Sequence, residues 1–125
     1  MFKKDQEYDD TFNFFVKGKE VGYLCCDFGR GTYSDSVNEP TTIYIHSVNI
    51  NPKYQGKKYG KKMMNEIIHY LKATYPGYTK YALDTWTENI PAYKSYLNAG
   101  FKVAGKPDVV FLDHYKHYIH MIYER

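Results

Sequence analysis

A strand, a loop and a helix follow one another between residues 41 and 74, and no other stretch of this chain limits its fold as tightly. "TTIYIHSVNI", residues 41–50, is β-branched and alternating, as a strand with one buried face is. Alternation puts Ile43, Ile45, Ser47 and Asn49 on one side and Tyr44, His46, Val48 and Ile50 on the other. Asn51-Pro52 stops the strand, because proline cannot donate to a ladder. After Gly56 the period changes. Tyr59, Met63, Ile67 and Tyr70 recur at helical spacing, with Met64, Ile68 and Leu71 widening the stripe, which predicts an amphipathic helix over 57–74. "YPGY" ends it through Pro76 and Gly77. "TKYALDTW", 79–86, reads as a strand. A strand–helix–strand unit favours a right-handed crossover and parallel pairing.

The flanks add hairpins. "TFNFFVKGKEVGYLCCDF" reads as strands at 11–17 and 20–28 around Lys17-Gly18-Lys19. "GRGTYSDSVNEP", 29–40, is a polar loop long enough to be functional. "IPAYKSYLNA", 90–99, reads as a short helix, with Pro91 in its first turn, Asn89 as N-cap and Gly100 at C′. "FKVAG" and residues 117–124 are the last strands. Hairpins give antiparallel pairs and the crossover a parallel one. The expected fold is α/β (α+β): a mixed, mostly antiparallel sheet with helices packed on it. The 125 residues, without repeat or linker, suit a single domain over 1–125.

The helix carries an electrostatic conflict. Lys57, Lys58, Lys61 and Lys62 crowd its first turns, where unpaired N–H groups already supply about half a positive charge. Each lysine there costs about 0.3–1 kcal/mol, and such local conflicts cluster at functional sites. A bound anion resolves it, because free amides, dipole and lysines then all face negative charge. Gly56 and Gly60 let the backbone approach a phosphate closely. The loop also lies at the strand end of a β-loop-α unit, the usual ligand position in an open α/β sheet. "QGKKYG" has neither P-loop nor dinucleotide spacing.

Other features narrow the function. No apolar run is long enough to span a bilayer, so no membrane partner is expected. "MFKKDQEYDD" lacks the apolar core of a signal peptide, which points to the cytoplasm. The net charge of +3 is too small to suggest nucleic acid. Most of the fifteen tyrosines read as strand and core residues with a polar tip at the surface. Cys25 and Cys26 are neighbours that point to opposite faces of a strand and suit reduced thiols. No Cys/His set has zinc spacing, and His114, His117 and His120 alternate faces on a strand, so no metal is expected. Trp86 reads as core or cleft wall.

"SVNINPKYQGKKYGKKMM" resembles motif A of the GNAT family of N-acetyltransferases, Gln/Arg-x-x-Gly-x-Gly/Ala after a strand and a loop. Gln55 and Gly60 fit, and Lys58 stands where the middle glycine is expected. "NIPAYKSYLNAGF", 89–101, resembles motif B through Asn89, Ala92, Tyr96, Gly100 and Phe101, with Ser95 in place of a usual leucine. The resemblance covers about 41–104. It implies splayed central strands with acetyl-CoA in the gap. Val48 and Ile50 would offer backbone groups to the pantetheine arm. Amides around Gly56, Lys57, Lys58, Tyr59, Gly60 and Lys61 would hold the pyrophosphate, beside Gln55, and Asn89 would meet the far arm. The family usually places a strand and two helices before the hairpin at 11–28. Only about ten residues precede it here, so the loop 29–40, the C-terminal strands or a second subunit must shape the acceptor site.

Acetyl transfer to an amine needs a neutral amine, and a free lysine amine has a pKa of about 10.4. Histidine titrates near neutrality, and some family members carry a base on this strand, which makes His46 the candidate. The resemblance makes Tyr96 the group that protonates, or hydrogen-bonds to, the departing thiolate. Tyr93 is one turn away. The expected function is direct transfer of an acetyl group from acetyl-CoA to an amine-bearing acceptor, small molecule or protein. The other reading left open is a non-catalytic acyl-CoA- or nucleic-acid-binding module on the same fold. Exposed strand edges allow a homodimer.

Overall fold

The computed structural model describes residues 1–29, 40–86, 88–103, 108–110 and 116–124. Its hairpin turns on Lys17 and Gly18, both at positive φ (52° and 79°). That geometry suits a two-residue hairpin loop, because its twist matches the strands. The turn joins β2 (Thr11–Val16) to β3 (Lys19–Phe28). A short edge strand, β1 (Phe2–Lys4), pairs antiparallel with β2. Three residues are too few to show alternation, and the strand is not visible in the sequence. Phe2 anchors it, packed on Phe14 and Tyr70 at 4.8 and 5.6 Å between ring centres.

From β3 the chain reaches β4 (Thr42–Ile50), a single 3-10 turn at Pro52–Tyr54 and α1 (Tyr59–Thr74). β5 (Lys80–Trp86) and α2 (Ile90–Ala99) follow. β6 (Lys102–Val103), β7 (Asp108–Val110) and β8 (Lys116–Glu124) close the order. The helix begins at Tyr59, not at 57, because Lys58 is its left-handed N-cap. The sheet runs β1-β2-β3-β4-β5-β8-β6, with β7 also on β8. β6 and β7 therefore share one edge of β8, against Ile122–Met121 and Tyr118–Lys116 respectively. Among the described strands only β4 and β5 are parallel, so the sheet is mixed and mostly antiparallel.

α1 buries Met63, Met64, Ile67, Ile68 and Leu71 against Phe12, Phe14, Leu24, Ile43, Ile45, Tyr81 and Leu83 of the sheet. The opposite sheet face holds a smaller cluster of Tyr44 and Ala82 with Ile122. Cys25 and Cys26 are both free thiols. No described helix is long and apolar enough to cross a membrane. Residues 30–39 of the polar loop, His114, and the side chains of Trp86, His117 and His120 lie outside the described residues.

One glycine fixes the spacing between β3 and β4. Gly22 opposes Ile50, and a methyl group there would run into the Asn49 carbonyl oxygen and stand 3.0 Å from Ile50 Cδ1. The obstacle is backbone, which gives little. Gly22→Ala is expected to lower the unfolding free energy by about 1–3 kcal/mol, read from urea denaturation.

Candidate active site

Two irregularities open a cleft. β4 and β5 pair only where Thr42–Tyr44 meets Lys80–Ala82. Beyond those rungs β4 continues along β3 and β5 along β8, and the two part. β4 also carries a bulge. Tyr23 opposes Asn49 while Cys25 opposes His46, so β4 has one residue more than β3 between these pairs. Ser47, within the extra stretch, has φ 53°. A bulge bends its strand and sharpens the local twist.

The bulge resets the alternation. Ile43 and Ile45 before it, and Val48 and Ile50 after it, all pack with the core under α1. Tyr44 lies on the other face, in the cluster with Ala82, with His46 stacked beside it at 6.0 Å. Regular alternation had grouped His46 with Val48 and Ile50, and the extra residue overturns that grouping.

A cavity of about 510 Å³ lies between the end of β4, the start of α1 and α2. Val48 and Ile50 line it from the strand. Gln55, Gly56, Lys58, Tyr59, Gly60 and Lys61 line it from the loop and first helical turn, and Asn89 and Tyr96 from α2. Of the residues the sequence puts forward for catalysis or cofactor binding, Lys57 and His46 are not in its wall, and neither are Lys62 and Tyr93. Tyr54, Met64 and Ser95 also line it, and sequence reasoning missed them as wall residues. Tyr54 is brought in by the 3-10 turn, its ring 5.8 Å from that of Tyr59. Ser95 had a signal: where the resembled motif has leucine, the shorter side chain leaves room.

Local hydrogen bonds set the loop. Asn51 Oδ1 accepts from the Lys53 amide at 3.1 Å, and Gln55 Nε2 donates to the Ile50 carbonyl at 2.9 Å. The Gln55 side chain thus ties the loop back to the strand end. Gly56 and Lys58 both take positive φ (78° and 64°), which turns the chain into the helix. α1 has no side-chain cap and no acidic residue in its first turn. Its first amides, at Tyr59, Gly60 and Lys61, precede the first intrahelical bond, Lys62 N–H to the Lys58 carbonyl at 3.2 Å. Uncapped amides, the helix dipole and two lysines beside apolar Val48, Ile50 and Met64 make a wall for a phosphate joined to an uncharged arm.

The other wall is α2. Asn89 caps it, its Oδ1 accepting from the Ala92 amide at 3.3 Å, and Gly100 ends it at φ 107°. Tyr96 is 8% exposed, with its ring edge-on to Phe101 at 6.3 Å. Burial pushes its phenol up to about 12, because desolvation disfavours the phenolate.

On the sheet face away from α1, His46 lies between two partners. Its Nδ1 is 3.0 Å from Ser47 Oγ and its Nε2 is 3.4 Å from Asp27 Oδ1. Asp10 joins them, with one ligand atom from each of the three within 4.8 Å of the others. No sequence spacing announces this group, whose members come from β3, β4 and the turn before β2.

Comparison with known proteins is consistent with this geometry. The profile of the Acetyltransferase (GNAT) family matches residues 2–101. The spermine/spermidine N(1)-acetyltransferase of Bacillus subtilis is 29% identical over 105 residues, which are 84% of this chain and 67% of that protein. An uncharacterized N-acetyltransferase of Methanocaldococcus jannaschii is 28% identical over 104 residues, 82% of this chain and 42% of that one. Among solved structures, aminoglycoside acetyltransferase AAC(6')-Ib in complex with coenzyme A superposes with a TM-score of 0.71 at 22% identity. It shares 92% of this chain and 65% of its own. Spermidine N-acetyltransferase from Vibrio cholerae, in complex with CoA and spermine, gives 0.72 at 19% identity, with 91% and 64% covered. The chain spans about two thirds of the length of most of these relatives. A profile match over well over half of the chain, on a mixed sheet with parted central strands, shows the lineage: the chain belongs to the GNAT family of acyl-CoA-dependent N-acetyltransferases.

Proposed function

We propose that this chain is a single-domain, cytoplasmic enzyme that transfers an acetyl group from acetyl-CoA directly to an amine of a small cationic acceptor. The observation that carries the reading is the uncapped start of α1 facing the same cleft as the buried Tyr96. The amides of Tyr59, Gly60 and Lys61, with Lys58 and Lys61, would hold the pyrophosphate. The backbone of Val48 and Ile50, left without a partner strand on the β5 side, would hold the pantetheine arm, and Asn89 would face its far end. The acceptor would approach from the opposite face of the sheet, through the parted strands. Asp10 and Asp27 lie on that side beside His46. Carboxylates there suit a polyamine-like cation, the chemistry named for the Bacillus and Vibrio relatives. The open edges, β1 on one side and β6 with β7 on the other, leave room for a second copy of the chain.

In the chemical step the acceptor nitrogen attacks the thioester carbonyl, the C–N bond forms, and the C–S bond then breaks. His46 would take the amine proton on the acceptor side. Tyr96, in the wall of the cleft, would face the leaving sulfur. A phenol at about 12 giving its proton outright to a thiolate of ordinary pKa, about 8.5, is uphill by about 5 kcal/mol. Tyr96 therefore acts by donating a hydrogen bond as charge builds on sulfur.

Three outcomes follow. Titration with acetyl-CoA should show micromolar binding, lost by at least about tenfold in Lys57→Glu/Lys58→Glu, where attraction at the helix start becomes repulsion. No binding at millimolar concentration, or intact binding by the double variant, would refute the anion site. Tyr96→Phe should lower kcat about 10- to 100-fold with little change in acetyl-CoA affinity; a protein that binds acetyl-CoA but acetylates no amine would be a binding module. Because burial favours the neutral phenol, Tyr96 keeps its proton across about pH 6–10. Tyr96→Phe should then lower the rate profile over that range without changing its shape.

A further inference from the structure

Tyr44 reaches across the sheet from β4 to β5 and donates a hydrogen bond to Asp84 Oδ2 at 2.6 Å. Its position gives this bond meaning. Tyr44 stands on the last rung of the parallel ladder, opposite Ala82, and is 4% exposed. Asp84 lies two residues past that rung, on the part of β5 that has already left β4. One end of the bond is thus fixed in the ladder and the other sits on the departing strand. A phenol-to-carboxylate bond of this length is charge-assisted, and about twice as strong as a neutral one. His46 stacks on Tyr44 and braces the ring from the bulge side.

We infer that the Tyr44–Asp84 hydrogen bond is the strut that sets the angle at which β4 and β5 part, and so positions the two walls of the cleft for acetyl transfer. Three backbone rungs alone are a short hinge. Ile50 lies six residues beyond Tyr44, about 20 Å along the strand at its usual rise. A change of about 5° at the hinge moves that wall by roughly 1.7 Å, and misplacement by about 1 Å can cost 100-fold in rate. Tyr44 and Asp84 are positioning residues: neither lines the cleft, and both act through the strands that carry Val48, Ile50 and, after β5, Asn89 and Tyr96. The kinetic part of this inference rests on the acetyl-transfer reading; the conformational part does not.

The test uses Tyr44→Phe, Asp84→Ala, Asp84→Asn and the double variant Tyr44→Phe/Asp84→Ala. A strut requires Tyr44→Phe and Asp84→Ala to lower kcat about 10- to 100-fold and to weaken acetyl-CoA binding by a smaller factor, because the Val48–Ile50 wall shifts while the start of α1 stays in place. The double variant should be no worse than the poorer single one, since both remove the same bond. Asp84→Asn keeps an acceptor oxygen and should recover most of the activity. Equal damage from Asp84→Asn and Asp84→Ala, with Tyr44→Phe near wild type, would overturn the strut and make the Asp84 charge itself the requirement. All variants within about twofold of wild type would also overturn it. Amide hydrogen exchange on the unliganded protein supplies the second readout. Tyr44→Phe should speed exchange at 45–50 and 83–86 while β2 and its pairing with β3 stay protected; a uniform rise, or none, would count against the strut. A wild type without transferase activity would refute the acetyl-transfer reading, and the exchange result would then decide the strut alone.

Discussion

Everything in the cleft depends on a parallel ladder that stops after three rungs. A regular sheet would close the space between β4 and β5 with hydrogen bonds, and the face under α1 would be continuous core. Here the pairing ends at Tyr44 and Ala82, and Ser47 bulges just beyond it. The backbone polar groups that would have paired must find other partners, because leaving them buried and unsatisfied costs about 1–3 kcal/mol each. The gap is thus a slot along which β4 has no β5 partner beyond Tyr44.

The start of α1 shows a second conflict of the same kind. Lys58 occupies a left-handed conformation, which costs a side-chain-bearing residue about 1–2 kcal/mol. The helix it begins has no cap and no acidic residue to offset its dipole. Gln55, by contrast, gives its side-chain amide to the Ile50 carbonyl and steadies the loop. The loop is held from within while the helix end is left exposed to the cleft. That division fits a segment whose remaining donors are meant for an anion.

Local patterns in the sequence carried most of the helical and loop geometry. The stripe from Tyr59 to Leu71, the Asn89 cap and the Gly100 stop are all short-range features, set by neighbouring residues. The splayed strands came only from the family resemblance, since nothing within residues 41–50 states where a partner strand stops pairing. The bulge was hidden for a related reason. Strict alternation is the simplest reading of "TTIYIHSVNI", and one extra residue at Ser47 moves Val48 and Ile50 to the opposite face. β1 and β7 are too short for periodicity to show. The Asp10–Asp27–His46 group and the Tyr44–Asp84 bond join residues distant in sequence, and the register between strands, not any motif, brings them together.

The three-rung ladder also shapes the route by which the chain reaches its fold. β1 to β4 form a meander in which each strand pairs with its neighbour in sequence. β5, β6 and β7 all gather on β8. Between these two halves the sheet is continuous only at Thr42–Tyr44 with Lys80–Ala82, contacts that close a loop of nearly forty residues containing the whole of α1. Loop-closure entropy of this kind must be overcome before the contacts reward it, so a large share of the topological cost falls on this join. The opening between β4 and β5 in the finished protein is therefore also the seam at which two more locally connected halves are stitched together.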